Sequence, residues 1–206
     1  MKSEKLAPWI PTPLPIVYEI LDLAGVTPCD TLYDLGSGDG RVVIIAARDF
    51  CLEKAIGIEI DPVLVELARA KARLEGVDSR AVFIEGDFLE VDIKDASIVY
   101  VYLYKSIIEK LMYKFEGELK PGTRIVTLDF PVPEWIPVLI RRRRDPLDIP
   151  HTLYLYIVGL SNYKQLSFYE TVNTDILVNL KKWLRCPVKC DSRADHIHRH
   201  RSHSGS

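Results

Sequence analysis

The stretch from Leu32 to Val42 constrains the fold of this chain more than any other. It reads L-Y-D-L-G-S-G-D-G-R-V, a short apolar strand followed by a glycine-rich turn and the start of a helix. Glycine is needed where the backbone takes a positive φ, or where a ligand touches the main chain directly. A strand, a glycine turn and a helix in this order place helical N–H groups at the carboxyl end of a sheet, where open α/β folds bind nucleotides.

The glycine spacing and two aspartates indicate which ligand such a turn holds. Gly36, Gly38 and Gly40 follow a G-x-G-x-G pattern, whereas dinucleotide-binding enzymes use G-x-G-x-x-G. Asp34 lies just before the turn and Asp39 within it, and carboxylates suit a cationic ligand better than a phosphate. The pattern favours S-adenosylmethionine, which carries an amino group and a sulfonium. A nucleotide redox site and a purely structural turn are the alternatives.

Strand and helix patterns alternate along the rest of the chain. Apolar runs of strand length separated by amphipathic helical patterns predict crossover units and a parallel sheet, and the last two strands form a hairpin. We therefore predict an α/β fold, a Rossmann-like doubly wound sheet of seven strands with an antiparallel last strand. The predicted strands are 31–35, 54–60, 81–85, 97–103, 124–128, 138–142 and 151–158, and the predicted helices are 14–25, 42–49, 63–75 and 106–119.

The segment before the first helix is an arm rich in proline. Residues 7–15 contain four prolines, so this segment cannot be a helix interior and is predicted to be extended. Thr12 is predicted to be the N-cap of the first helix, with Gly25 just past the end of that helix. Trp9 in the arm is either a packing anchor or a lid over the ligand.

Two further acidic positions follow predicted strands. Glu59 comes 23 residues after Gly36, near the spacing at which a carboxylate accepts hydrogen bonds from the two hydroxyls of a ribose. Asp87 follows the third strand and can accept from an adenine amino group, while Phe88 stacks on the ring. The alternatives are a solvated acid at a strand end for Glu59 and an ordinary turn residue for Asp87.

Charge divides the chain unevenly. The chain has 27 basic and 29 acidic residues, and the segment from Leu160 holds 8 of the basic and 4 of the acidic ones. Residues 1–159 therefore contain 19 basic and 25 acidic residues, a net charge of −6. An acidic body disfavours nucleic acid and favours a basic partner. Residues 1–159 contain neither Asn nor Gln, which hints at a thermophilic source.

The organisation of the chain follows from these patterns. We predict a domain over residues 1–159, with residues 1–13 as its arm, and a C-terminal extension over 160–206 with a short helix near 175–185 and a disordered remainder. No apolar run is long enough to span a membrane, and the N-terminus does not resemble a signal peptide. The four cysteines are scattered and show no disulfide framework, so a reducing cytoplasm is expected. A monomer is also expected.

These motifs together resemble a known family. The chain is similar to class I S-adenosylmethionine-dependent methyltransferases, and more narrowly to archaeal broad-specificity protein-lysine methyltransferases. It is also similar to the mitochondrial lysine methyltransferases that modify the ATP synthase c-subunit and the adenine nucleotide translocase. The resemblance covers about residues 8–159 and is carried by the segments 11–13, 33–41, 57–59, 130–137 and 151–156.

The resemblance implies a role for individual residues. Asp34, Gly36 and Gly38 would hold the methionine part of the cofactor, and Thr12 would cap its carboxylate end. Tyr102, in the aromatic segment that ends strand four, would line the channel for the target lysine as the catalytic residue. The full set of implied cofactor-binding residues is Trp9, Thr12, Asp34, Gly36, Ser37, Gly38, Glu59, Ile60, Asp87 and Phe88.

The implied reaction is a direct in-line methyl transfer to the side-chain amine of lysine in proteins. A sulfonium methyl is already activated, so positioning is the main requirement, and no metal or covalent nucleophile is expected. Adenine amino methylation in this fold uses Asn/Asp-Pro-Pro-aromatic after strand four, where this chain has residues 102–105, Y-L-Y-K. Methylation of RNA or of a small molecule, and a non-catalytic cofactor-binding protein, remain the alternatives.

Two features outside this site have competing interpretations. The run from Arg141 to Arg144 is either a solvated hairpin or a docking patch for an acidic surface or nucleic acid. Cys186 and Cys190, with four later histidines, match no standard zinc spacing, so we expect no metal there.

Overall fold

A computed structural model describes residues 10–162 and Cys186. Its helices are α1 Leu14–Leu23, α2 Arg41–Asp49, α3 Pro62–Leu74 and α4 Lys105–Glu118. Its strands are β1 Thr31–Leu35, β2 Lys54–Glu59, β3 Ala81–Glu85, β4 Ile98–Val101, β5 Arg124–Leu128, β6 Leu139–Arg144 and β7 Pro150–Ile157. Trp9 and the segment 175–185, for which the sequence predicts a lid or anchor and a helix, lie outside the described residues.

The described strands form one seven-stranded sheet in the order β3-β2-β1-β4-β5-β7-β6. The first five strands are parallel, and β7 pairs antiparallel with both β5 and β6. The predicted doubly wound sheet with an antiparallel end is therefore confirmed. The chain leaves β1 towards β2 on one side and returns to β4 on the other, so the switch point of the topology lies between β1 and β4.

Each face of the sheet carries its own apolar core. Ile16, Ile20 and Leu21 of α1 pack with α2 and α3 on one face, whereas Ile108 and Phe115 of α4 pack on the other. The central strands are buried on both faces, which explains their nearly continuous apolar sequence. Within the described residues, no helix is long and apolar enough to cross a lipid bilayer.

The start of α1 differs from the prediction. Pro13 occupies the N-cap position and no side chain caps the helix, so the expected N-cap role of Thr12 is wrong. The Thr12 side chain instead turns to the carboxyl edge of the sheet and is hydrogen-bonded to Tyr100. Gly25 does lie just past the helix, with a φ of 60° that favours glycine.

A disulfide contradicts the expectation that the cysteines form no framework. Cys29 in the loop before β1 is bonded to Cys186 of the extension, with the two Cα atoms 5.8 Å apart. Cys51, in the loop before β2, is disulfide-bonded as well. The sequence pattern does not reveal this pairing because the partners are separated by 157 residues and only the fold brings them together.

The arginine run forms the edge strand β6 of a hairpin, as one of the two interpretations predicts. Arg141 donates to Glu19 and to Asp22 of α1, and Arg143 forms an ion pair with Glu19. These pairs fasten the edge strand to the first helix. They also neutralise part of the charge that a docking patch for nucleic acid would need.

Candidate active site

A cleft opens at the carboxyl ends of the parallel strands, beside the switch point between β1 and β4. It encloses about 800 Å³, including the space that is open to solvent. The lining residues come from the arm, the glycine turn and the ends of β2 and β4, with the loop after β3. They are Ile10, Pro11, Thr12, Asp34, Gly36, Ser37, Asp39, Arg41, Val42, Glu59, Ile60, Asp87, Phe88, Tyr100, Tyr102 and Leu103.

The glycine turn has the backbone that its sequence predicts. Gly36, Gly38 and Gly40 have φ values of 85°, 54° and 79°, in the left-handed region that favours glycine. Gly40 is also the N-cap of α2, and a Cβ at this position would lie 2.5 Å from the ring of Phe83. The third glycine is thus required for close packing against β3, in addition to its role in the turn.

Glu59 at the end of β2 holds this turn in place. One oxygen of its carboxylate accepts a hydrogen bond from the Gly38 N–H at 2.9 Å. The other oxygen accepts from the N–H groups of Ile60 and Asp61, each at 2.9 Å. Because a carboxylate has about four lone-pair sites, Glu59 can still accept from a ligand.

The two aspartates of the glycine motif have different environments. Asp39 is paired with the guanidinium of Arg41 at 2.9 Å and with the ammonium of Lys71 at 2.6 Å. Burial raises the pKa of the Asp39 carboxyl, but the hydrogen bonds from Arg41 and Lys71 outweigh burial and hold this pKa below its usual value. The expectation that Asp39 attracts a cationic ligand is therefore wrong, since the protein's own cations neutralise it.

Asp34 has no such partners. It is 3% exposed, and its carboxylate makes no hydrogen bond or ion pair with any residue in the described part of the chain. Burial, and then the charges of Glu59 and Asp39, raise the pKa of Asp34 well above its usual value. A buried, unpaired carboxylate at the wall of a cleft is the group that a bound cation would stabilise most.

Ser37 adds a second unpaired group beside Asp34. Its hydroxyl is buried and has no hydrogen-bond partner within the described residues. The Asp34 carboxylate and the Ser37 hydroxyl lie in one short turn. The carboxylate can bind a cation, and the hydroxyl can donate a hydrogen bond to an anion. This combination fits the amino acid end of S-adenosylmethionine.

The arm closes one side of the cleft. The hydroxyls of Thr12 and Tyr100 are hydrogen-bonded at 2.9 Å, and Arg41 donates to the carbonyl oxygen of Thr12 at 2.9 Å. Arg41 therefore links Asp39 in the glycine turn to the arm. The structure thus brings the predicted Thr12 to the predicted turn, although Trp9 lies outside the described residues.

The other predicted residues also meet at this cleft. Glu59, Ile60, Asp87, Phe88 and Tyr102 all line it, and Gly38 is tied to it through Glu59. Asp87 uses one oxygen to accept from the N–H of Leu89 at 2.8 Å, so it also shapes its own turn. Among the described residues, no group of His, Cys, Asp and Glu is arranged to hold a metal ion.

Sequence reasoning missed the Asp129–His151 pair next to Tyr102. Burial raises the pKa of the Tyr102 hydroxyl to about 12, and the neighbouring Asp129 carboxylate adds to this rise. Asp129 follows β5, and its carboxylate lies 2.8 Å from Nδ1 of His151 at the start of β7. The one signal in the sequence is that an antiparallel β7 must begin at the edge where β5 ends.

Comparisons with known proteins agree with this geometry. Residues 34–139 match the sequence model of the ANTKMT methyltransferase domain. A protein-lysine N-methyltransferase from Saccharolobus islandicus is 42% identical over 152 residues, which cover 74% of this chain and 94% of that protein. The adenine nucleotide translocase lysine N-methyltransferase of Mus musculus is 39% identical over 109 residues, 53% of this chain and 47% of that protein.

A solved structure also superposes on most of the chain. It is described as an RNA methyltransferase from Salinibacter ruber in complex with S-adenosyl-L-homocysteine. The TM-score is 0.69 at 41% sequence identity, and the match covers 76% of this chain and 99% of that one. The chain therefore belongs to the ANTKMT methyltransferase-domain family, whose members are S-adenosylmethionine-dependent enzymes of the class I fold.

Proposed function

We propose that this chain transfers a methyl group from S-adenosylmethionine to the side-chain amine of lysine in proteins. The structural observation that carries the proposal is the buried, unpaired carboxylate of Asp34 in the wall of the cleft. The acceptor is inferred from the Saccharolobus islandicus relative, which spans most of this chain and is named for protein lysine.

In this proposal the glycine side of the cleft binds the cofactor. Asp34 receives its amino group and Ser37 its carboxylate end, beneath Thr12 of the arm. Glu59 binds the ribose through its one remaining acceptor site, and Asp87 and Phe88 contact the adenine. The proposed contact residues are Trp9, Thr12, Asp34, Gly36, Ser37, Gly38, Glu59, Ile60, Asp87 and Phe88. The cofactor supplies a sulfonium-bound methyl group, which the amine takes as the electron pair of the C–S bond passes to sulfur.

The β4 side of the cleft receives the lysine. Tyr102 is protonated at neutral pH, because tyrosine has an ordinary pKa of about 10 and burial raises the pKa of Tyr102 to about 12. Its hydroxyl therefore orients the amine by hydrogen bonding. Lysine has an ordinary pKa of about 10.4, and a partly dry cleft favours its neutral form.

Methylation of RNA is the second candidate, because the Salinibacter ruber structure carries that description. Against it, residues 1–159 have a net charge of −6, and Arg141 and Arg143 of β6 are paired with acids of α1. A phosphate backbone would find little unpaired positive charge on such a surface. The protein acceptor is therefore preferred.

The location, domain division and oligomeric state belong to the same proposal. We propose a monomer in the cytoplasm, with residues 1–159 as the catalytic domain and 160–206 as an extension. A disulfide such as Cys29–Cys186 is unusual in cytoplasm, except in hyperthermophiles. The absence of Asn and Gln from residues 1–159 agrees with a hot environment.

Methyl-labelled S-adenosylmethionine tests the acceptor directly. The chain is incubated with bulk protein extract or with total RNA, and the label is located by mass spectrometry. Label on lysine side chains is expected, and Asp34→Asn should bind cofactor about a hundredfold more weakly by calorimetry, since it loses a charged hydrogen bond. Label on RNA alone would transfer the function to the second candidate, and equal cofactor affinity in Asp34→Asn would overturn the cofactor site.

A further inference from the structure

We infer that Asp129, held in place by His151, is the carboxylate that receives and orients the amine of the target lysine. This inference rests on the proposed function, because Asp129 is the hydrogen-bond neighbour of Tyr102, which lines the cleft. It adds an anionic anchor to Tyr102, which alone offers only a neutral hydroxyl.

The position of Asp129 follows from the sheet. Asp129 comes directly after β5, which pairs with β4, and Tyr102 follows the end of β4. The Asp129 carboxylate lies close enough to raise the pKa of Tyr102, after the larger effect of burial. Asp34 stands at the end of β1, on the other side of β4. The two carboxylates therefore flank Tyr102 and Tyr100, one on the cofactor side and one on the acceptor side.

Hydrogen bonds fix the orientation of the Asp129 carboxylate but leave it able to accept from a ligand. Its Oδ1 accepts from the N–H of Thr152 at 2.9 Å, and its Oδ2 lies 2.8 Å from Nδ1 of His151. Its own N–H donates to the carbonyl of Thr152 at 2.8 Å. The Tyr102 hydroxyl is a third hydrogen-bond neighbour, so about one of four lone-pair sites remains, and the side chain is 26% exposed, so an arriving amine can reach it.

His151 is the residue that makes this arrangement unusual. Its side chain is 6% exposed, and with a proton on Nδ1 it donates to Asp129. Its Nε2 has no hydrogen-bond partner among the described residues and faces Asp145 Oδ2 at 3.8 Å. The imidazole therefore lies between two carboxylates, Asp129 and Asp145, which fixes the ring that holds Asp129.

Two aromatic residues neighbour Asp129 and Tyr102 along the chain, Phe130 and Tyr104. Phe130 follows Asp129, and its ring packs edge-on against Tyr104, with centroids 5.8 Å apart. Tyr104 is 41% exposed. Aromatic faces attract an ammonium group and cover the apolar stem of lysine, whereas a phosphate or a carboxylate would be repelled by Asp129.

Two opposing effects act on the proton of the bound lysine, because Asp129 favours the ammonium and the partly dry cleft favours the neutral amine. Lysine arrives as an ammonium and is attracted to Asp129. One proton passes from the ammonium to water, which leaves the neutral amine and a hydrated proton. The amine keeps a hydrogen bond to Asp129 through a remaining N–H, so that its lone pair is held in a fixed direction towards the cofactor side of the cleft.

Asp129→Asn tests the anchor with little change in shape. Asn tolerates the φ of 63° at this position and keeps an acceptor for the Thr152 N–H, but it loses the charge. With bulk protein extract titrated as the methyl acceptor, we expect the half-saturating concentration to rise about tenfold or more. Cofactor affinity by calorimetry should not change. The matched control is Asp148→Asn in the β6–β7 turn, also at a positive φ, which should leave both values unchanged.

His151 is tested as a positioning residue by rescue. His151→Leu removes the donor to Asp129 and should reproduce the weaker saturation of Asp129→Asn. His151→Asn restores an N–H near the position of Nδ1 and should recover most of the loss. If both His151 variants behave alike, the positioning role is wrong. If thermal melts show that Asp129→Asn does not fold, Asp129→Glu, which moves the charge by one methylene, takes its place and should also weaken saturation.

The outcomes separate this inference from the proposed function. If the wild-type chain labels lysine and Asp129→Asn saturates as the wild type does, the anchor is wrong and the proposed function stands. If the wild-type chain binds cofactor but labels no lysine, the proposed function fails. If Asp129→Asn loses cofactor affinity instead, Asp129 serves the cofactor side and the inference is overturned.

Discussion

The parallel strands of the sheet end at a carboxyl edge and begin at an amino edge, and these two edges are built in opposite ways. At the carboxyl ends of the strands, Asp34 and the Ser37 hydroxyl are buried without hydrogen-bond partners in the described part of the chain. At the amino ends, Asp30 accepts hydrogen bonds from Thr27 and Ser97 and pairs with Arg124.

Each edge can be understood from what it must do. Arg124 also donates to the carbonyls of Ala24 and Gly25, at 2.7 Å and 3.0 Å, so it ties the end of α1 to β5. The Cys29–Cys186 disulfide lies at this same edge. Saturated polar groups and a disulfide stabilise one edge, and this stability offsets the cost of the unpaired Asp34 and Ser37 side chains at the other.

Breaking the amino edge should give the largest loss of stability. Arg124→Met leaves the Asp30 carboxylate buried without its cation, so we expect the free energy of unfolding to fall by about 3–5 kcal/mol. Cofactor affinity of the folded protein should be unchanged, because the cleft lies at the opposite edge. Denaturant unfolding and calorimetry measure the two quantities. Arg142→Met on the exposed strand β6 is the control, and an equal loss there would contradict the argument.

Removing the disulfide should be the next largest effect. Cys29→Ser releases a link across 157 residues, and we expect the free energy of unfolding to fall by about 2–4 kcal/mol, with methyl transfer unchanged. Thermal unfolding with and without reductant provides the measurement. Reductant also opens the disulfide of Cys51, so Cys29→Ser is the cleaner test. A loss of activity in Cys29→Ser would show that the two edges are coupled.

The carboxyl edge is the more predictable of the two from sequence. The glycine turn, Glu59, Asp87 and Tyr102 lie within or directly after strands with strong local patterns, so their convergence follows from the rule that parallel strands end at one edge. The sheet order and antiparallel hairpin follow from the same alternation. Local pattern also misleads, because Asp39 looks like a ligand residue until Arg41 and Lys71 are seen to neutralise it.

What sequence reasoning misses depends on contacts between distant segments. Asp30 and Arg124 are 94 residues apart, and neither lies in a motif. The Asp129–His151 contact requires the register of β5 against β7, which no local period reveals. The local pattern assigns Thr12 to the helix it precedes because Thr is a common N-cap, but the long-range hydrogen bond to Tyr100 prevails.

Adding one methyl group under the glycine turn should disturb the carboxyl edge alone. In Gly57→Ala the new Cβ would lie 2.5 Å from the Ser37 hydroxyl and 2.7 Å from the ring of Phe83. We expect a loss of about 1–3 kcal/mol in stability and weaker cofactor binding, since Ser37 must move. Gly117→Ala, where no atom lies within 4 Å, should stabilise helix α4 by about 0.5–1 kcal/mol. Normal cofactor affinity in Gly57→Ala would separate Ser37 from the binding site.

The smallest effect should be a gain in stability when the orphaned carboxylate is removed. Because the pKa of Asp34 is raised in the folded protein, ionising it costs free energy that the unfolded chain does not spend. Asp34→Asn does not ionise, so without cofactor it should unfold a few degrees higher than the wild type at neutral pH. Asp78→Asn, at an exposed position, is the control.

The pH and cofactor dependence of this gain follow from the same pKa. The contribution of Asp34 to wild-type stability is fully present below its unfolded pKa, about 3.9, and is lost as the pH rises through the higher folded pKa. The advantage of Asp34→Asn should therefore grow from acid to neutral pH. Saturating S-adenosylmethionine should reverse the order, because it stabilises the wild type more than the weakly binding variant. Equal melting temperatures of the wild type and Asp34→Asn at neutral pH, without cofactor, would mean that the protein itself stabilises the ionised Asp34.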